Sequence, residues 1–254
     1  EGFWGRVLVP AAFNCGGQIC FGWAPDDSRA RLAGFLLRVN IIFSTAGALI
    51  LFSDERPLVR SPLFWGGLLL VVGGSVGTVL LGADPIAGAT ATGVVLGLCA
   101  GAFYGLYGVS VRYWMHGIRP MVSFAAISLY TAVAMVSLMI VLVESSGTVV
   151  FGMSGFTWMM LVLSALIGIA LGHVFYYSAI ARLGVAISAA VVQLAPFICG
   201  IASVFIFDEV LTRWQWICGV LMLFGASALI YSERIRRPVP SGAARAHETA
   251  QTSA

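Results

Sequence analysis

The chain has 254 residues, 59% hydrophobic and 10% charged, with 14 basic and 11 acidic side chains and a formal net charge of +3. A water-soluble domain carries about 25% charged residues on its surface, so a soluble globule is excluded and a polytopic membrane protein is expected. Every basic residue is arginine. These form no phosphate-neutralising cluster outside the tail, which removes nucleic acid from the partners.

Segments of about twenty apolar residues are long enough to cross a bilayer. In chain order they fall at 7–24, 33–53, 62–82, 89–111, 121–143, 157–181, 185–207 and 212–232. The expected fold is therefore all-α, a bundle of about eight transmembrane helices. Barrel strands would be half as long and would alternate polar with apolar residues. Polar marks separate the spans: Pro25-Asp26-Asp27-Ser28, Ser53-Asp54-Glu55-Arg56-Pro57, Asp84-Pro85, His116-Gly117-Ile118-Arg119-Pro120 and Glu144-Ser145-Ser146-Gly147. The tightest junction, Ala181-Arg182-Leu183-Gly184, predicts a hairpin of the sixth and seventh spans.

Arginine usage orients the bundle. With the C-terminus cytoplasmic, Arg6, Arg56, Arg60, Arg112, Arg119, Arg182, Arg234, Arg236, Arg237 and Arg245 lie inside. Arg29, Arg31 and Arg213 lie outside, and Arg38 lies within a span. The expected location is the inner or plasma membrane, multi-pass, with residues 234–254 a disordered cytoplasmic tail.

An internal repeat organises the chain. Asp54-Glu55 and Asp208-Glu209 each follow an apolar span and precede a glycine-spaced helix, Gly67 to Gly73 and Gly219 to Gly225. Five crossings separate the copies, an odd number, so they lie on opposite faces and the halves are inverted, as in secondary transporters. Residues 1–83 form the first repeat with three helices, and 84–233 the second with five. Matching halves predict two further helices, on the order of 60 residues, ahead of the first span. Glu55 and Glu209 are read as structural, capping the helix that follows each, and the glycines as points of close helix contact.

Polar groups at membrane depth are costly and usually face a cavity. Arg38 would attract an anionic or carboxylated solute, or else snorkel to the interface. Asn40, about 200° round an α-helix from it, would point elsewhere. Asn14 and Gln18 share a stripe that lines a cavity or ties helices together. His173, with Tyr176 and Tyr177 on the same face, is a cavity and proton-carrying candidate, or a histidine bonded to backbone. Gln193 and Pro196 lie mid-span, where the proline frees the carbonyl of Val192 and breaks or kinks the helix. Tyr104 and Tyr107 rank below these. Cysteines 15, 20, 99, 199 and 218 lack metal spacing and His116, His173 and His247 are scattered, so no metal, cofactor or catalytic residue is expected. No phosphate-binding GxxxxGK[ST] loop occurs.

The segment Gly172-His173-Val174-Phe175-Tyr176-Tyr177-Ser178-Ala179-Ile180 with Arg182-Leu183-Gly184, then Ala195-Pro196-Phe197, Phe207-Asp208-Glu209 and the Gly219/Gly225 helix, resembles the drug/metabolite transporter superfamily, and within it the EamA-type permeases. Phe35-Leu36-Leu37-Arg38-Val39-Asn40 with Asp54-Glu55 is a degraded copy. The resemblance implies ten helices in two five-helix repeats, so that this chain is N-terminally truncated, and transport of small metabolites, often outward. Two features depart from an even repeat: Ile42 stands opposite Pro196, and the Pro25–Arg31 link is more charged than its counterpart. The expected function is a permease moving a small metabolite or drug-like solute by alternating access, as an exporter. A membrane-embedded enzyme or a channel-like protein is the alternative. Partners are the bilayer and a small-molecule substrate, with a homodimer left open.

Overall fold

The computed structural model describes residues 2–23, 36–81, 90–142, 148–207 and 211–236. The Pro25–Arg31 link, Asp84-Pro85, Glu144–Gly147, the second Asp-Glu pair with Glu209, and the tail beyond Arg236 lie outside these residues. Most of the described residues within the expected spans are helical. The helices are α1 (Phe3–Gly22), α2 (Asn40–Leu51), α3 (Pro62–Leu80), α4 (Ala91–Trp114), α5 (Pro120–Leu142), α6 (Gly155–Ser164), α7 (Gly172–Leu183), α8 (Val185–Val192), α9 (Ala195–Phe207) and α10 (Arg213–Arg236).

Among the described residues five helical stretches are long and apolar enough to cross a membrane: Ala91–Trp114, Pro120–Leu142, Gly155–Leu183, Val185–Ile206 and Arg213–Ile235. Leu37–Leu51 and Pro62–Thr78 are shorter apolar helices. Arg6, Asn14 and Gln18 dilute the apolar character of α1. The outer surface is rich in large exposed apolar side chains such as Leu69, Phe175, Phe205 and Val141, the pattern of a multi-pass protein whose surroundings are lipid.

Local chemistry sets the helix ends. Pro62 and Pro120 open α3 and α5, where a missing N–H costs nothing. Thr90 accepts from Gly93 N–H and Ser154 from Thr157 N–H, capping α4 and α6. Thr212 and Gln215 form a reciprocal capping box at α10. α10 runs on to Arg236, past the expected span end at 232, because Glu and Arg are good helix formers and cations suit a helix C-terminus. The sixth span is one long helix widened between α6 and α7 by a π-helical stretch, Ala165–Leu171. The seventh is interrupted at Gln193–Leu194, with Pro196 in the first turn of α9.

α3 and α10 pack antiparallel along their length. At the crossing the backbones nearly touch: a Cβ on Gly67 would lie 2.8 Å from the Gly225 carbonyl oxygen, and one on Gly225 would lie 2.7 Å from the Gly67 oxygen. The other two glycines named from the sequence do not share this seam. Gly73 faces open space, and Gly74 meets Cys218 and Met222 in its place. Seven residues from Gly67 is two helical turns, whereas six rotates the position away from the partner. Gly219 sits under the ring of Phe197 on α9.

The Ser53–Ser61 segment gathers three other helices. Arg56 donates from Nε to the Leu49 carbonyl at 3.0 Å and from Nη2 to the Ile50 carbonyl at 2.8 Å, closing the C-terminus of α2. Arg112, in the last turn of α4, forms ion pairs with both Asp54 and Glu55 and lies 4.3 Å over the Phe52 ring. Glu55, buried, accepts from the N–H groups of Val185 at 2.8 Å and Ala186 at 3.0 Å. It therefore caps α8, and the expectation that it caps its own following helix is corrected. A 3-10 turn, Arg56–Arg60, separates it from α3, while Gly184, at φ +88°, leaves room for the carboxylate at the bare end of α8.

The core sits around this hub and along α1. Leu58, Phe64, Val71, Ile187 and Leu229 form one buried cluster, and Val7, Tyr107, Met115, Ile127 and Tyr177 another.

Candidate substrate cavity

A cavity of about 260 Å³ lies among α2, α4, the π stretch, α7 and α8. Asn40, Tyr104, Tyr107, His173, Tyr176 and Val192 line it, together with Gly168 and Gly172. The wider π turn directly precedes α7, whose second residue is His173, a placement common at functional sites.

His173 Nδ1 lies 2.8 Å from the Ile169 carbonyl. A carbonyl only accepts, so Nδ1 carries the hydrogen and Nε2 is left to face other partners. The ring sits 5.4 Å from Phe124, 6.4 Å from Tyr107 and 6.2 Å from Tyr177, inside an aromatic cage. Tyr107 and Tyr177 are hydrogen-bonded hydroxyl to hydroxyl. Tyr176 lines the cavity, and its hydroxyl lies against the backbone of α4 at Gly108.

The helix interruption places Gln193 at the cavity edge, 1% exposed. Its Nε2 donates to Asn40 Oδ1 at 2.7 Å, and its Oε1 accepts from Arg38 Nη1 at 3.5 Å. The expectation that Arg38 and Asn40 point apart is corrected. Leu37–Val39 is a 3-10 turn, which advances about 120° per residue, so positions 38 and 40 stand about 120° apart rather than about 160°. The length of Gln193 spans the rest. The Nε of Arg38 is buried without a hydrogen-bond partner, and among the described residues no carboxylate pairs with the guanidinium.

Arg38, Gln193, His173, Tyr176 and Tyr177 are thus gathered in and around one site. Asn14 and Gln18 are not. Asn14 Nδ2 donates to Thr131 Oγ1 at 3.1 Å, tying α1 to α5, and Gln18 is exposed. The stripe splits because only its Asn14 end meets a hydroxyl on the helix opposite. Asn40, Tyr104 and Tyr107 belong to the cavity, although sequence reasoning set the first aside and ranked the tyrosines low. The signal for the two tyrosines was i,i+3 spacing on a glycine-rich helix that lets neighbours approach. Among the described residues no three His, Cys, Asp or Glu side chains could together hold a metal.

A solved crystal structure of a protein is similar in fold, with a TM-score of 0.74 and 17% identity over 92% of this chain and 79% of that one. Comparison with curated proteins yields no significant match. The model of the EamA-like transporter family matches residues 91–231. That is more than half of the sequence, and the chain belongs to the EamA-like transporter family.

Proposed function

We propose that the chain is a secondary carrier which moves a small anionic or carboxylated metabolite outward across the inner or plasma membrane. The observation that carries this reading is Gln193, at a broken helix, bridging Arg38 and Asn40 beside the aromatic cavity. A guanidinium without a carboxylate partner at membrane depth is a costly group that an anionic solute would neutralise.

Alternation of access would come from inverted halves. Two contacts support that symmetry. Glu55 and Glu209 are 154 residues apart, and Gln193, equivalent to Val39 at that offset, meets the residues flanking Val39. Likewise Gly67 and Gly225 meet between α3 and α10, the glycine-spaced helices that follow the two Asp-Glu pairs. Elements that meet their own equivalents are what a two-fold axis in the membrane plane produces. On this reading the remaining spans complete an eight-helix bundle, and the arginine asymmetry supports a cytoplasmic C-terminus.

The test is uptake of labelled carboxylates into vesicles containing the protein. Saturation and counterflow are expected. Chemical turnover of the solute without net transport would overturn the reading in favour of a membrane enzyme.

A further inference from the structure

A second cavity, of about 200 Å³, lies at the end of α4, where the chain turns into α5. It is lined by Arg112, His116, Pro120, Ser123, Tyr177 and Ala181, among others. α4 and α7 line both cavities in the same order. On α4, Tyr104 and Tyr107 face the central one and Val111 and Arg112 the second; on α7, His173 and Tyr176 face the central one and Tyr177, Ile180 and Ala181 the second. From Tyr104 to Arg112, and from His173 to Ala181, is eight residues, or about 12 Å of helix. The cavities are therefore stacked along the α4–α7 seam. Between them stands the Tyr107–Tyr177 pair, one tyrosine lining each cavity and the two hydroxyls bonded together.

The second cavity is equipped with donors. Ser123 is 2% exposed, and its hydroxyl has no hydrogen-bond partner. A buried, unsatisfied hydroxyl is costly unless something fills the role. It sits in the first turn of α5, a helix of 23 residues, whose leading N–H groups have no partner within the helix and whose dipole presents positive charge there. His116 adds a further ring nitrogen. The carboxylates nearby, Asp54 and Glu55, are both engaged by Arg112.

We propose that this second cavity is a transit site for a small carboxylate, with Ser123 as its hydrogen-bond donor and the Tyr107–Tyr177 pair as the partition from the central cavity. The proposal rests on the carrier reading and adds a second stop on the solute's path. In the present conformation the partition is closed, and passage requires the two hydroxyls to part.

The experiment uses Ala181→Cys, at a position that lines the same cavity and leaves Ser123 in place, in reconstituted vesicles and reads modification by mass spectrometry on the peptide carrying position 181. Sulfonate-bearing and ammonium-bearing methanethiosulfonates are compared, each rate divided by that reagent's rate with 2-mercaptoethanol. The normalised anionic reagent is expected to react at least threefold faster, and propionate, unlike propionamide, to slow it at least threefold. No labelling, equal normalised rates, or indifference to propionate would overturn the proposal. Independently, adding Ser123→Ala is expected to raise the propionate concentration that half-protects the cysteine at least fivefold, and an unchanged concentration would also overturn it. Saturable uptake with position 181 unprotected would remove the transit site and leave the carrier reading; protection without uptake would overturn the carrier reading and, with it, the transit role.

Discussion

The carboxylate of Glu55 occupies the space that a Cβ on Gly184 would need, an ideal Cβ there falling 2.8 Å from the carboxyl carbon. The two residues come from opposite halves of the chain and lock the loop after α2 onto the start of α8. Glu55→Ala would strip Arg112 of a partner and leave two N–H groups uncapped. Breaking such a buried pair from one side costs about 3 to 5 kcal/mol, seen as a lowered melting temperature in detergent. Gly184→Ala meets the same carboxylate and a backbone conformation, φ +88° and ψ 172°, that is almost confined to glycine. It is expected to lose about 1 to 3 kcal/mol. An undiminished melting temperature in both would show that the hub contributes nothing.

The α3–α10 seam discriminates between glycines that look alike in sequence. Gly67→Leu and Gly225→Leu would force apart backbones in contact and lose about 1 to 3 kcal/mol or more. Gly73→Leu points into open space and should stay within about 0.5 kcal/mol of wild type. Thermal unfolding of the three variants side by side checks the register.

Asn14 and Thr131 join α1 to α5 by a single interhelical hydrogen bond. In a double-mutant cycle of Asn14→Ala and Thr131→Val the coupling is expected near 0.6 kcal/mol, as for such bonds within membranes. Gln18→Ala should leave both stability and solute affinity unchanged, since the side chain is exposed.

Arg38 and Gln193 act as one unit in the proposed site. Arg38→Gln removes the cation and is expected to raise KM for a carboxylate about tenfold, a loss of about 1.4 kcal/mol of binding. Gln193→Ala frees both Arg38 and Asn40 and should raise KM by a comparable factor while membrane insertion stays intact. Normal KM in both variants would place recognition elsewhere.

His173→Phe keeps a ring against Phe124 and Tyr177 but discards Nε2, the nitrogen not bonded to Ile169. If the nitrogen contacts solute, uptake falls while folding is preserved. Wild-type uptake across pH would assign the ring to packing alone.

Much of the molecule was legible in one dimension. Span length and the scarcity of charge determined an all-helical membrane protein, because backbone groups in lipid must bond within their own segment. The ordered motifs from Gly172 to Gly225, together with the internal repeat, carried the family resemblance. Local punctuation told where helices begin and end: Pro62, Pro120 and Gly184 each act on their immediate neighbours. Contacts between distant residues were another matter. Whether Glu55 caps α3 or α8, whether Gly73 or Gly74 meets α10, and whether Asn40 turns toward Arg38 depend on helix rotation and on one 3-10 turn. A residue's place on a helix changes by about 100° with each step, so a single-residue shift redirects a side chain entirely. The tertiary structure alone decided those directions, and with them which polar groups share the cavity.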